Sequence, residues 1–427
     1  MATIEIKNVG PIKGTEKFEL NKINIFMGPQ SSGKSTIAKI ISQCYWYEKN
    51  YLLTGDEYYF YGGLIDFHRM DENYFSDDSE IIYESQWTEI VFRGKGKKSK
   101  IDIEKKPCQN SIYQNLKIEY VPAERNFAAT IRNLERYNES YDNIINFLND
   151  WMLFKGILTN SKKNFSSPLK SIDIKYKYNE TKKEDVLTLP NKKTILLQRA
   201  SSGQQSITPL LVVCEYLFNE LYNQKRNPSP AERKHIQDLL PENMKEYYSW
   251  VIDKQNFQQN GKQTKNTDAI EETKTKIWNE IGFSTDYHFS SVIIEEPEQN
   301  LFPETQKELI YYLFESMQLD NRNHTLLLTT HSPYVLYALN NCMMGFLVKD
   351  TISKDEQEEL PSKNSWINPK SVSVWEIEKG TIRPIKNNET GTVSKHYFNK
   401  IMNEVMEEYY DMLTYLKIDK HEGQNTL

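Results

Sequence analysis

Apolar and polar residues alternate at the start of the chain, over Thr3–Ile6 and Lys17–Leu20, which predicts two strands. Ile23–Met27 is a more solidly apolar strand that runs into Gly28. The period then changes. Ile37, Ile40, Ile41 and Cys44 fall on one side of a helix predicted over Ser35–Tyr47. Residues 50–115 are loop-rich and aromatic, with strands at Glu80–Tyr83 and Glu89–Arg93, and a further strand, Leu116–Val121, ends in Pro122-Ala123-Glu124-Arg125. Helical spacing returns over 130–165, from Ile131 through Trp151. A charged hairpin, Ile172–Tyr178 with Asp185–Leu189, turns at Asn179-Glu180-Thr181, and Ser206–Tyr222 reads as an apolar helix.

From 223 to 285 the chain becomes rich in Lys, Gln, Asn and Glu; Pro228-Ser229-Pro230 opens the stretch, and Lys254–Thr267 has almost no apolar content. That composition predicts an inserted helical arm with a mobile segment. Ser290–Ile294 and Thr325–Thr330 return to short, solid apolar strands, typical of a sheet covered on both faces. Strands are predicted near Met344–Val348, at Val372–Glu378 and at Gly380–Ile385, followed by a helix from Val393 to about Tyr415. No heptad array is long enough for an extended coiled coil. The expected division is 1–222, the arm at 223–285, a return to the core at 286–350, and C-terminal strands and a helix at 351–427.

Composition narrows the class. The 427 residues suffice for a large core, and a net charge of −6 argues against a broad surface that coats nucleic acid. The first residues read as a strand rather than a secretory leader, and the longest apolar runs, such as Leu210–Cys214, are too short to span a bilayer. Cys44, Cys108, Cys214 and Cys342 show no paired spacing, so reduced thiols and a cytoplasmic location are expected.

Four short elements carry candidate chemistry. Gly28-Pro29-Gln30-Ser31-Ser32-Gly33-Lys34-Ser35 fits the G-x-x-x-x-G-K-S/T phosphate loop, with an apolar strand before it and a helix after. Its glycines let backbone N–H groups approach phosphate at a helix N-terminus. Gln30, Ser31, Ser32 and Thr36 complete the candidate cradle; Lys34 would reach the β and γ phosphates of ATP, and Ser35 would coordinate Mg²⁺. Val292-Ile293-Ile294-Glu295-Glu296-Pro297-Glu298 ends an apolar strand in carboxylates. Glu295 would support the metal and Glu296 would orient or deprotonate water. His331, in Thr329-Thr330-His331-Ser332-Pro333, can sense the γ-phosphate. Ser201-Ser202-Gly203-Gln204 opens a helix and makes a second anion cradle, one that would face the triphosphate from a neighbouring subunit.

These four elements, in this order, resemble the ABC-type ATPases in the broad sense, with head domains like those of recombination, chromosome-maintenance and overcoming-lysogenisation-defect proteins. Ile25–Thr36, Tyr120–Arg125, Ile294–Pro303 and Thr329–Pro333 further resemble ATPase subunits of phage-defence systems such as Septu and PARIS. The resemblance implies an α/β P-loop fold with a mixed central sheet, an antiparallel β subdomain and a helical insertion. It implies phosphate and metal binding by Lys34 and Ser35, metal support by Glu295, catalysis by Glu296 with Lys34 and His331, and contact of Ser202, Gly203 and Gln204 with a partner's nucleotide. Asn300-Leu301-Phe302 departs from the His residues that relatives often carry there. The metal-sensing glutamine has two candidates, Gln86 and Gln114, and Arg125 is either a polar contact at the site or an ordinary salt bridge.

The leading expectation is a soluble ATPase that dimerises around ATP and Mg²⁺ and controls a separate effector, a nuclease by preference, in bacterial anti-phage defence. The alternative is a DNA-repair or chromosome-associated ATPase that binds nucleic acid itself, with Gly94–Lys106 as its best basic stretch or as a solvated hairpin tip. The arm at 223–285 is the expected place for a partner or for higher oligomerisation.

Overall fold

The computed structural model describes residues 2–107, 111–130, 142–160, 165–223, 226–259, 267–394 and 396–415. Its central sheet runs Thr381–Pro384, Val372–Glu378, Ile23–Met27, Thr325–Thr330, Phe283–Glu295 and Tyr113–Val121. Every pairing is parallel except that of Thr381–Pro384, an antiparallel edge. Ile25 stands opposite Leu328 on one side and Val374 on the other, so the phosphate-loop strand lies inside the sheet.

The solid apolar strands are explained by the two cores that they separate. Ile23, Ile25, Met27, Val292, Ile294, Leu326 and Leu328 face one core. Helices Asn143–Asn160, Ser202–Glu215, Pro303–Ser316 and Pro333–Val348 cover that face. Phe26, Ile293 and Leu327 face the other, under helix Lys34–Thr54 and an antiparallel sheet. Alternate residues of one strand therefore serve different cores, which favours apolar side chains on both faces. The second sheet runs Ile12–Gly14, Ala2–Val9, Glu80–Glu84, Thr88–Arg93 and Lys100–Lys105, with Phe18–Leu20 also on Ala2–Val9. Its Ile4, Ile6, Ile81, Ile90 and Phe92 are buried against Ile37, Ile40 and Ile41. A small antiparallel sheet, Thr194–Leu196, Glu184–Thr188, Lys175–Asn179 and Phe165–Ser166, contains the expected charged hairpin.

Helices Pro230–Leu239, Glu242–Gln259 and Thr267–Ile281 lie within the arm. They share a third core with the far end of the phosphate-loop helix, where Ile236, Val251, Ile270 and Trp278 pack with Leu52 and Leu53. Of the stretch predicted to be mobile, 254–259 is helical and 260–266 lies outside the described residues. Strand Phe283–Glu295 begins inside the last residues of the predicted arm.

Other elements depart from expectation. Met344–Val348 is not a strand but the end of helix Pro333–Val348. Ser332 caps that helix by accepting from Tyr334 N–H, Pro333 presets its first turn, and Val335, Leu336, Leu339, Cys342 and Met343 keep one face buried as far as Met343. Five apolar residues in a row conceal that period. The C-terminal helix starts at Tyr397, four residues later than predicted. The helix expected over 130–165 is described over Asn143–Asn160, and 131–141 lies outside the described residues.

Candidate functional site

The phosphate loop joins strand Ile23–Met27 to helix Lys34–Thr54 at the carboxyl edge of the sheet. Gly28 has φ 154°, and a Cβ there would stand 2.4 Å from the carbonyl oxygen of Ile377; Gly33 has φ 106° and would drive a Cβ to 2.5 Å from Ile12. Only glycine meets both demands. Ser31 also sits at positive φ, 57°, with Gln30 and Ser31 exposed at the tip and Thr36 buried at the helix start. Lys34 is 4% exposed, and its Nζ donates to the carbonyls of Gly28 (3.0 Å) and Pro29 (2.7 Å). Burial pulls its pKa down to about 8 against the opposing pull of Glu296, Glu298 and Glu295. The Ser32 hydroxyl oxygen is buried without a partner, as fits a group that meets a ligand.

The acidic strand end meets this loop. Ser35 Oγ donates to Glu295 Oε2 at 2.5 Å, and the buried Tyr120 hydroxyl donates to Glu295 Oε1. Among the described residues no group of three His, Cys, Asp or Glu side chains could hold a metal. A hydroxyl and one carboxylate nevertheless fit Mg²⁺, which takes few protein oxygens and completes its shell with water and substrate phosphate. Glu296 leaves the strand at φ 45°, with its N–H on the carbonyl of Thr329. Its Oε1 lies 3.4 Å from His331 Nε2. That histidine contact, more than any other influence, holds the Glu296 carboxyl below its ordinary range.

Of the two roles expected of Arg125, the structure shows the polar contact at the site and not the salt bridge, and the contact is with backbone. Arg125 is 1% exposed, and its guanidinium donates to the carbonyls of Glu295 (2.8 Å), Glu296 (2.7 Å) and Pro297 (3.4 Å). It therefore clamps the backbone that carries both acids. Glu298 accepts from His331 N–H at 2.6 Å, and burial raises its pKa. Gln306 accepts from Ser332 Oγ at 2.5 Å and donates to the carbonyl of Leu301 at 2.8 Å.

Sequence reasoning missed Tyr120, Glu298 and Gln306. Tyr120 had a findable signal: it closes a strand that ends beside the acidic one, in register with Ile293. Gln86 and Gln114 do not reach the site. They line a cavity of about 800 Å³ with Lys22, Tyr45 and Ser371, and Gln114 lies at the opposite, amino end of strand Tyr113–Val121.

Ser201 caps helix Ser202–Glu215 in a reciprocal box: its Oγ accepts from Gln204 N–H (3.3 Å), while Gln204 Oε1 accepts from Ser201 N–H (3.2 Å). The Gln204 side chain is thus engaged in capping. A Cβ on Gly203 would stand 2.8 Å from the Asn300 carbonyl oxygen. No hydrogen bond joins Ser202 or Gly203 to the phosphate loop of the same chain, and Ser202 is exposed. Gly94–Lys106 forms a turn and an edge strand on the second sheet, with Arg93 held by Glu80 and Lys106 by Glu84.

No protein-family model matches the chain, and no curated protein matches it. Among solved structures it is similar to the SMC head domain from Thermotoga maritima, at 10% identity and a TM-score of 0.37 over 90% of this chain and 98% of that one. An SMC head bound to the C-terminal winged-helix domain of ScpA gives 10% identity and 0.41, covering 90% and 96%. The recombination mediator protein RecF gives 11% identity and 0.32, covering 90% and 97%. At that level these likenesses assign neither an activity nor a partner to this chain. No helix among the described residues is long and apolar enough to cross a membrane.

Proposed function

We propose that the protein is an ATPase that binds ATP with Mg²⁺ at the phosphate loop, closes on a second subunit, and reopens on hydrolysis. The supporting observation is the convergence of Ser35, Glu295, Glu296 and His331 at one sheet edge, with the Ser35–Glu295 hydrogen bond at its centre. Lys34 would exchange its two carbonyl partners for the phosphates, and Ser35 with Glu295 would hold the metal, which would supply charge neutralisation at the phosphoryl oxygens. Glu296, ionised at neutral pH, orients the attacking water and accepts its proton, while His331 holds the carboxylate in place. Ser202 and Gly203 close the site of the partner subunit from the opposite side.

Mg²⁺-dependent phosphate release by the purified protein, abolished in Glu296→Gln, tests the activity; release unaffected by that change refutes the assignment. The wider reading is a switch that acts on a separate effector in anti-phage defence, supported by the resemblance of Ile25–Thr36, Tyr120–Arg125, Ile294–Pro303 and Thr329–Pro333 to subunits of such systems. Mg²⁺-dependent DNA or RNA cleavage by the purified protein alone would overturn it. The DNA-repair alternative is tested by ATP-dependent retention of DNA with a steep salt slope.

A further inference from the structure

The helix Tyr397–Leu413 leaves the body of the protein at its first turn. Tyr397 and Phe398 pack partly on the core, and Tyr397 N–H donates to Glu376 at 2.7 Å. From Lys400 to Tyr415 every residue is exposed. A polar helix would be stable there, but this one carries Met402, Val405, Tyr409 and Met412 at steps of three, four and three, the spacing of a seam between helices. Val405 is 59% exposed and Met412 58%. Ile401, Met406 and Leu413 widen the stripe on both sides.

We propose that this helix pairs with the same helix of a second copy of the chain. Three observations favour that occupant. Glu404, Glu407 and Asp411 fall at outer heptad positions and only Glu408 flanks the seam, so two copies meet without like charges stacked across it. The exposed apolar residues of seam and flanks present about 700 Å² per chain, within the roughly 600–1,000 Å² per partner of a standard interface. The polar face is acidic, with Lys400 its one cation, whereas helices that lie on membranes present Lys and Arg. The pairing is independent of the ATP-closed contact and does not rest on the proposed ATPase cycle.

Sedimentation velocity of the full chain at micromolar concentration, in EDTA and without nucleotide, tests the pairing. A dimer is expected that persists in Lys34→Ala and is lost in the double variant Met402→Glu with Val405→Glu. Placing two carboxylates in an apolar seam raises the dissociation constant by about 100-fold or more. A monomeric wild type overturns the pairing, whatever covers the helix, as does a dimer unchanged in the double variant. A dimer that forms only with ATP and fails in Lys34→Ala overturns it too, while leaving the ATP-closed contact standing. If the double variant precipitates, Val405→Cys decides: an oxidised inter-chain band absent from the wild type supports pairing, and no band refutes it. Flotation of a monomeric wild type with phosphatidylglycerol–phosphatidylcholine vesicles would assign the stripe to lipid instead.

Discussion

Replacing Arg125 with Met should slow ATP hydrolysis far more than it weakens ATP binding. The guanidinium is fully buried and grips the carbonyls of Glu295 and Glu296. Burial lowers its pKa to about 10, so it remains a cation at neutral pH. Methionine fills the space of the stem but leaves two buried carbonyls unpaired, at about 1–3 kcal/mol each. Removing a buried charge returns part of that cost, so the net loss of stability should be about 2–4 kcal/mol. The larger effect is geometric. Glu296 occupies a left-handed backbone conformation at φ 45°, which costs a non-glycine residue on the order of 1–3 kcal/mol and persists only while its surroundings hold it. Once unclamped, the carboxylate moves, and a displacement of about 1 Å costs on the order of 100-fold in rate. Phosphate release should therefore fall about 100-fold in kcat, with the Kd for a fluorescent ATP analogue within about threefold, since Lys34 and the loop glycines are untouched. Arg125→Lys should recover only part of the rate, because one ammonium cannot reproduce the planar fork. A folded Arg125→Met protein with kcat within threefold of the wild type would refute the clamp. So would a loss confined to Kd.

Glu296→Gln should hydrolyse ATP at least about 100-fold more slowly and accumulate an ATP-bound dimer by light scattering; a variant that stays monomeric with ATP would separate Glu296 from closure. Lys34 is cationic below about pH 8 and loses its charge above it, so ATP affinity should weaken as pH rises from 7.5 to 9.5, with a proton taken up on binding at the upper end. Isothermal titration in buffers of different ionisation enthalpy checks this, and a flat profile would count against it. Gly203→Ala forces a methyl against the Asn300 carbonyl oxygen, so ATP-dependent dimerisation should fall while ATP binding to the monomer is unchanged. Tyr120→Phe removes a buried donor to Glu295 and should raise the Mg²⁺ concentration for half-maximal activity by about tenfold, equivalent to about 1.4 kcal/mol.

The loop and strands were legible because local chemistry sets them. Gly28 and Gly33 are needed by the backbone itself, and Ile23–Met27 and Thr325–Thr330 are rich in apolar residues because cores press on both faces. What the sequence concealed depends on partners far along the chain. Arg125 reaches the acidic strand across 170 positions, and no local pattern announces that pairing; Tyr120 reaches it across 175, with only its place at a strand end as a signal. Met344–Val348 misled for a different reason: a short apolar run fits a strand and the last turns of a helix equally well, and here it ends a helix with Met344 and Leu347 exposed. The outward stripe of the C-terminal helix was visible as residues, but its exposure is a property of the packed chain.

The contacts that carry the proposed switch form one connected unit within a single subunit. His331 approaches Glu296 through its ring and fixes Glu298 through its backbone N–H. The next residue, Ser332, holds Gln306, and Gln306 holds the carbonyl of Leu301. The adjoining Asn300 carbonyl lies directly against Gly203, at the start of the helix that would face a partner's nucleotide. A shift of His331 on loss of the γ-phosphate would therefore reach the loop Glu298–Leu301 and the N-terminus of helix Ser202–Glu215 through hydrogen bonds and one tight backbone contact. Hydrolysis in one site would then loosen the surface that closes the other. Gly203 is required there not for its own flexibility, since its φ is not in the left-handed range, but because any side chain would break the contact that joins the switch to that surface.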